Sequence, residues 1–195
     1  MIRKILSVIA LTSATLSFAQ ILGVKGGVNI STISANDTKS KTGVYGGILL
    51  NFPITSEYNI QPEILYNGLG AKTKGDTDVK LDLNYISVPV MFQYHASPKF
   101  YFEAGPQFSY LVDSKVKVSS LEVSANTYFQ KFEVGLGFGA GYYFDEKFGI
   151  TARYVSGISN ILKDINEREF STNGKKSYNN TLQIGLAYKF KNNRR

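Results

Sequence analysis

The sequence predicts an all-β fold, an eight-stranded antiparallel up-and-down transmembrane β-barrel. Three observations carry that prediction: an export leader at the N-terminus, two-residue alternation of apolar and polar side chains, and connections that alternate between short and long.

The leader comes first. Arg3 and Lys4 precede the apolar run Ile5 to Ala14, and Ser17-Phe18-Ala19 then offers small residues at a cleavable spacing. The run is shorter than the roughly 20 residues a membrane-spanning helix needs, so a cleaved signal peptide over 1–19 is expected in place of an anchor helix. The barrel domain is then 20–195, and losing Arg3 and Lys4 lowers the formal charge from +7 to +5.

The alternation is clearest where Phe132, Val134, Leu136, Phe138, Ala140, Tyr142 and Phe144 interleave with Glu133, Gly135, Gly137, Gly139, Gly141 and Tyr143. It returns at Leu182, Ile184, Leu186, Tyr188 and Phe190, and again at Ile86, Val88, Val90, Phe92 and Tyr94. A period of two places one set of side chains on each face of a strand. Read throughout, it puts strands near 21–30, 42–52, 60–71, 81–94, 100–112, 129–144, 148–157 and 178–190. Pro89 marks a position where ladder pairing should lapse.

Pro53 to Asn59, His95 to Lys99 and Asp145 to Lys147 are short connections, whereas those after the first, third, fifth and seventh strands are longer. Short turns and long loops therefore fall at opposite ends, as in outer-membrane barrels, where short turns are periplasmic. Both termini are expected in the periplasm. Phe52, Tyr94, Phe100, Phe144, Phe148 and Phe190 share the apolar parity at the short-turn end and are expected to form one interfacial aromatic girdle. A soluble β-sandwich would also alternate, but it gives no reason for that ring. In hydrocarbon an open sheet edge leaves backbone groups unpaired, which requires closure.

The opposite parity places Lys25, Asn29, Glu63, Glu103, Gln107, Glu133, Arg153, Gln183 and Lys189 in the lumen. An eight-stranded barrel is just wide enough for side chains to fill, and a lone buried charge is costly. A charge network of Lys25, Glu63, Glu103, Glu133 and Arg153 is therefore expected, with Arg153 pairing one or more of the glutamates. The alternate glycines 135 to 141 make room for long side chains; no turn opening a helix follows them, as a phosphate loop would need.

With no cysteine and one histidine, thiolate metal sites, disulfides and the usual zinc clusters are excluded. No catalytic residue, metal or prosthetic group is expected. A lipid-modifying enzyme would need an oriented base, and His95 beside Ser97 and Pro98 shows no pattern supplying one. Basic residues are scattered singly and in the tail Lys191, Arg194 and Arg195, which argues against nucleic acid. The longest loop, around Ile158 to Tyr178, mixes Ile161, Leu162, Ile165 and Phe170 with charged residues, a composition open to a cap or a protein-binding surface.

Several short motifs in order, Gly23-Val24-Lys25-Gly26-Gly27, Gln61-Pro62-Glu63 with Tyr66 and Gly70, Asn84-Tyr85 with Val88-Pro89, Gly105-Pro106, and Arg153-Tyr154 with Gly157 and Asn160, carry a family likeness. Over nearly all of the mature chain the sequence resembles the PorT-type outer-membrane β-barrel family of the Bacteroidetes, akin in architecture to small OmpA-like barrels. The resemblance implies an integral protein of a Gram-negative outer membrane, and its founding member is linked to protein secretion. The final strand, with Gly185 and Phe190, resembles the signal read by the outer-membrane assembly machinery, although five residues follow the aromatic. The expected role is a structural or interaction component surrounded by outer-membrane lipid. The alternatives are a narrow solute or ion pore, a secretion accessory and a lipid-modifying enzyme.

Overall fold

The computed structural model describes residues 21–34, 38–73, 79–118, 121–124, 129–161 and 177–190. The expected signal segment 1–19, residues 162–176 of the longest loop and the tail 191–195 lie outside them.

Alternating side chains with β-branched and aromatic residues on one face form strands wherever the period runs unbroken. Nine result among the described residues: β1 (Ile21–Ile33), β2 (Thr38–Pro53), β3 (Tyr58–Thr73), β4 (Val79–His95), β5 (Phe100–Val118), β6 (Leu121–Ser124), β7 (Phe132–Tyr143), β8 (Phe148–Gly157) and β9 (Asn179–Lys189). Each pairs antiparallel with its neighbours, and β1 pairs with β9 from Gly23↔Lys189 to Ile33↔Asn179. That last ladder closes eight strands into a barrel, and β6 is a short extension paired to the far part of β5. The sandwich alternative is thereby removed. β6 was not expected, and the strand expected from residue 129 begins at Phe132.

The apolar parity faces outward. Val28, Ile48, Ile64, Val88, Phe108, Phe138, Ile150 and Ile184 are exposed, one from each barrel strand. Among the described residues buried polar side chains outnumber buried apolar ones, the reverse of a water-soluble interior. The ladder between β3 and β4 skips from Pro62↔Val90 to Leu65↔Ser87, a gap opposite Pro89, whose nitrogen has no proton to donate.

Strand lengths differ around the wall. β8 and β9 have 10 and 11 residues, about what a tilted lipid-spanning strand needs, while β2 to β5 run from 16 to 19. All share the short-turn end, so the excess rises beyond the loop end. There the ladder passes from Asn84↔Asp113 to Tyr85↔Leu111, inserting Val112 as an extra residue of β5. The bulge reverses parity, so Ser114 and Val116 turn inward where Ser109 and Leu111 did before it. Gly70 of β3 has φ of +142°, and a Cβ there would strike the Leu81 carbonyl. Its N–H donates to Ser31 Oγ at 3.0 Å, inside the barrel and off the ladder.

Candidate functional site: a charged strut across the lumen

Arg153 projects from β8 into the axis and is 1% exposed. Its guanidinium donates from Nη1 to Glu63 Oε2 at 2.8 Å, from Nη2 to Glu63 Oε1 at 2.7 Å, and from Nε to Glu103 Oε1 at 2.7 Å. Glu63 lies on β3 and Glu103 on β5, so one side chain ties three strands across the barrel. Lys25 of β1 adds a second cation, with Nζ 3.5 Å from Glu63 Oε1 and 3.8 Å from Glu103 Oε1. Two cations face two anions, which makes the cluster neutral. The fork of Arg153 matches a carboxylate bidentately, a geometry that offsets the desolvation of both partners.

Room for that long side chain comes from the glycines. A Cβ on Gly137 would lie 3.5 Å from Arg153 Cδ and 3.1 Å from Met91 Cε, and one on Gly139 would meet Glu103 Oε1 at 3.1 Å. A Cβ on Gly141 would collide with the ring of Tyr101. β7 is therefore nearly bare on its inner face because its neighbours fill the space.

The carboxylates are supported from the short-turn side by amides that the sequence analysis did not single out as a set. Gln61 Nε2 donates to Glu63 Oε1 at 2.8 Å and Gln93 Nε2 to Glu103 Oε2 at 3.1 Å. Asn51 Nδ2 donates to both glutamine oxygens, at 3.0 Å and 2.9 Å, and Asn59 Nδ2 to Asn51 Oδ1 at 3.0 Å. Asn59 Nδ2 also lies 3.0 Å from His95 Nε2, so the imidazole accepts there. His95 is the last residue of β4, with its ring 5.4 Å from that of Tyr101. Ser97 Oγ meanwhile accepts from the Phe100 amide at 3.1 Å. Inward parity on several strands was the available signal for these residues; which of them meet depended on register.

Above the strut lies a second polar layer. Gln183 Nε2 donates to Asn67 Oδ1 at 2.8 Å and Asn29 Oδ1 at 3.1 Å, Asn67 Nδ2 to Ser87 Oγ at 3.0 Å, and Ser87 and Ser109 hydroxyls meet at 2.8 Å. Gln107 Nε2 reaches Ser109 Oγ at 3.4 Å. Lys189 sits at the short-turn end, its Nζ 4.0 Å above the Tyr143 ring.

Glu133 stands apart from the expected network. On β7 it is six residues from Gly139, the partner of Arg153, which is about 20 Å at about 3.4 Å per residue. It accepts instead from Asn179 Nδ2 at 2.8 Å, and the same nitrogen lies 3.3 Å from the Tyr85 hydroxyl. Around that group the lumen is closed by Ile33, Leu69, Ala71, Leu83, Tyr85, Leu111, Phe129 and Ile161, with Leu81 and Val116 packed against them. Phe129 and Ile161 come from loop segments tied together by Gln130 N donating to Ile161 O at 2.8 Å.

Of the six aromatics expected at the short-turn end, Tyr94, Phe144, Phe148 and Phe190 are exposed and Phe52 and Phe100 half-buried. Phe144 stacks on Phe148 with centroids 5.8 Å apart. The ring also includes Tyr58, Phe102, Tyr142 and Tyr188, which pack against Tyr94, Phe100, Phe144 and Phe190 respectively.

Solved structures share this architecture. Neisserial surface protein A matches with a TM-score of 0.57 at 15% identity over 87% of this chain and 97% of that one. Ail, the attachment invasion locus protein of Yersinia pestis, matches with 0.50 at 14% over 89% and 100%. OprG of Pseudomonas aeruginosa matches with 0.50 at 15% over 88% and 96%. At such identities the likeness is one of fold. A sequence comparison with curated proteins finds no match. The profile described as outer membrane protein beta-barrel domain spans residues 18–163, most of the chain, including the whole strut. The chain therefore belongs to the outer membrane protein β-barrel domain family, whose place is the outer membrane.

Proposed function

We propose that the protein is a non-catalytic, non-conducting component of the outer membrane that serves a structural or interaction role. The observation that carries this is the strut: Arg153, Glu63, Glu103 and Lys25 bridge the lumen at one level, with amides on either side and an apolar cap beyond. A lumen crossed by bonded side chains has no continuous water path. His95 is used as a hydrogen-bond acceptor for Asn59, which leaves it ill placed as a base.

The loop end is then the outward face, with both termini in the periplasm, as short periplasmic turns imply. The long strands β2 to β5 offer a protein partner a raised surface. Ail is named for attachment and invasion, which agrees with such a role, although only the fold is shared. The ordered motifs from Gly23 to Asn160 support a PorT-type affiliation within the Bacteroidetes, and the final strand supports recognition by the assembly machinery.

Purified protein in planar bilayers is expected to give no stable conductance, and reproducible open steps would overturn the reading in favour of a narrow pore. The polar lining from His95 to Gln107 favours that second reading if the strut and the cap both move aside. Release of acyl chains from lipopolysaccharide, lost in His95→Ala, would instead restore an enzyme.

A further inference from the structure

Above the apolar belt the outer surface changes character. Lys39 of β2 lies directly opposite Lys72 of β3, Lys72 opposite Lys80 of β4, and Lys80 opposite Lys117 of β5. Four adjacent strands thus carry lysine at one level, and the row ends where Lys117 faces Glu122 of β6. Ala71, Leu81 and Val116 belong to the cap inside, so their chain neighbours Lys72, Lys80 and Lys117 point outward, and Lys39, opposed to Lys72, shares that face.

One level nearer the belt, Lys41 and Lys115 join them. Lys41 Nζ lies 2.6 Å from Asp82 Oδ1, Lys117 Nζ 3.1 Å from Asp82 Oδ2, and Lys115 Nζ 3.9 Å from Asp113 Oδ2. Among the described residues Lys39, Lys41, Lys72, Lys80, Lys115 and Lys117 therefore share the band with Asp82 and Asp113.

The level is informative. Lys72 is six residues beyond Tyr66 on β3, and Lys80 six beyond Ile86 on β4, where Tyr66 and Ile86 are exposed members of the apolar belt. Six residues span about 20 Å along the strand, less along the membrane normal because strands tilt. Long lysine stems reach back toward the interface. We infer that this outward lysine row binds the phosphate groups of lipid headgroups in the surrounding leaflet. Continuity with the lipid-facing belt selects a lipid over a soluble polyanion, since the same face meets acyl chains below and lysines above.

The test uses the refolded full-length mature barrel in detergent micelles, so it depends neither on orientation nor on conductance. Native mass spectrometry measures binding of bisphosphorylated lipid A and of the same lipid after dephosphorylation. Binding of the phosphorylated form is expected to weaken about tenfold in a Lys72→Gln/Lys80→Gln variant and to fall as salt rises from about 0.05 M to about 0.3 M. A Lys99→Gln/Lys147→Gln variant, altered in the short turns, should bind as the unaltered protein does. Heat-modifiable gel migration checks that each barrel is closed, and the salt series on the unaltered protein serves if the double variant does not fold. Equal binding of both lipids, binding insensitive to salt, or equal loss in the turn variant would overturn the inference. Sucrose octasulfate displacing nothing is the expected result; its preferential binding over the lipid would overturn the lipid source.

Discussion

The middle of the barrel and its loop end obey opposite rules. At the level of Arg153 the inside is ionic and the outside is Phe138, Ile150 and Ile184. At the level of Lys80 the inside is Leu81, Leu83 and Val116 while the outside is lysine and aspartate. Strands β3, β4 and β5 run through both regimes and change over beyond the row in which Ile86 pairs with Tyr66 on one side and Tyr110 on the other. The solvent explains the difference: hydrocarbon rewards apolar groups outside and leaves charges to pair within, whereas water restores the usual apolar core. The changeover is where hydrocarbon is expected to give way to water on that side.

That contrast breaks most readily at the strut. Arg153→Met leaves two buried carboxylates with Lys25 alone, and a loss of about 3–5 kcal/mol is expected in urea unfolding from lipid vesicles. Adding Glu103→Gln to it should recover part of that loss, because Lys25 and Glu63 then remain as a neutral pair, and a double-mutant cycle between Arg153 and Glu63 should show clear coupling. Independent, additive effects would mean that the strut is not an energetic unit.

On the outer face, Ile184→Arg at mid-belt should cost about 2–4 kcal/mol, while Lys80→Leu at the loop end should change little in the same assay. Equal sensitivity at both levels would erase the proposed boundary. On the inner face of β7, Gly141→Val is expected to cost about 1–3 kcal/mol, because its side chain must displace the buried Tyr101 ring.

The smallest effect lies in the turn between β7 and β8. Asp145 accepts from the Phe148 amide at 2.6 Å and the Lys147 amide at 2.7 Å, and these two bonds hold its carboxyl below the usual carboxylate range. A carboxyl lowered on folding stabilises above its ordinary value, and that contribution fades as pH falls toward the lowered one. Unfolding rates measured through the acid range should show a slight pH dependence that Asp145→Asn removes.

Much of this was legible before any fold was known. Parity alone assigned Glu63, Glu103 and Arg153 to one side and Phe138 and Ile184 to the other, because the side-chain period of a strand is two. The spacing of β7 glycines signalled an inner face left for others to fill. Glu133 shows the limit: it shares the parity of the strut but sits about 20 Å along β7 from the level of Arg153. Parity gives the side and says nothing about height. The bulge at Val112 shows another, since after it the inward residues of β5 are even-numbered, a reversal that follows from pairing with β4. Ile161 read as a loop residue and Phe129 as the start of a strand, and both became the cap, where the far end of the lumen meets water.

By itself the sequence determined the eight barrel strands, their outward faces along the lipid belt and the kinds of side chain in the lumen, because alternation and turn chemistry are local properties of the chain. Only the tertiary structure decided that Arg153 meets Glu63 and Glu103, that Glu133 meets Asn179, and that Lys39, Lys72, Lys80 and Lys117 stand in one row. Those meetings depend on the stagger between strands far apart in sequence, which closure of the barrel sets.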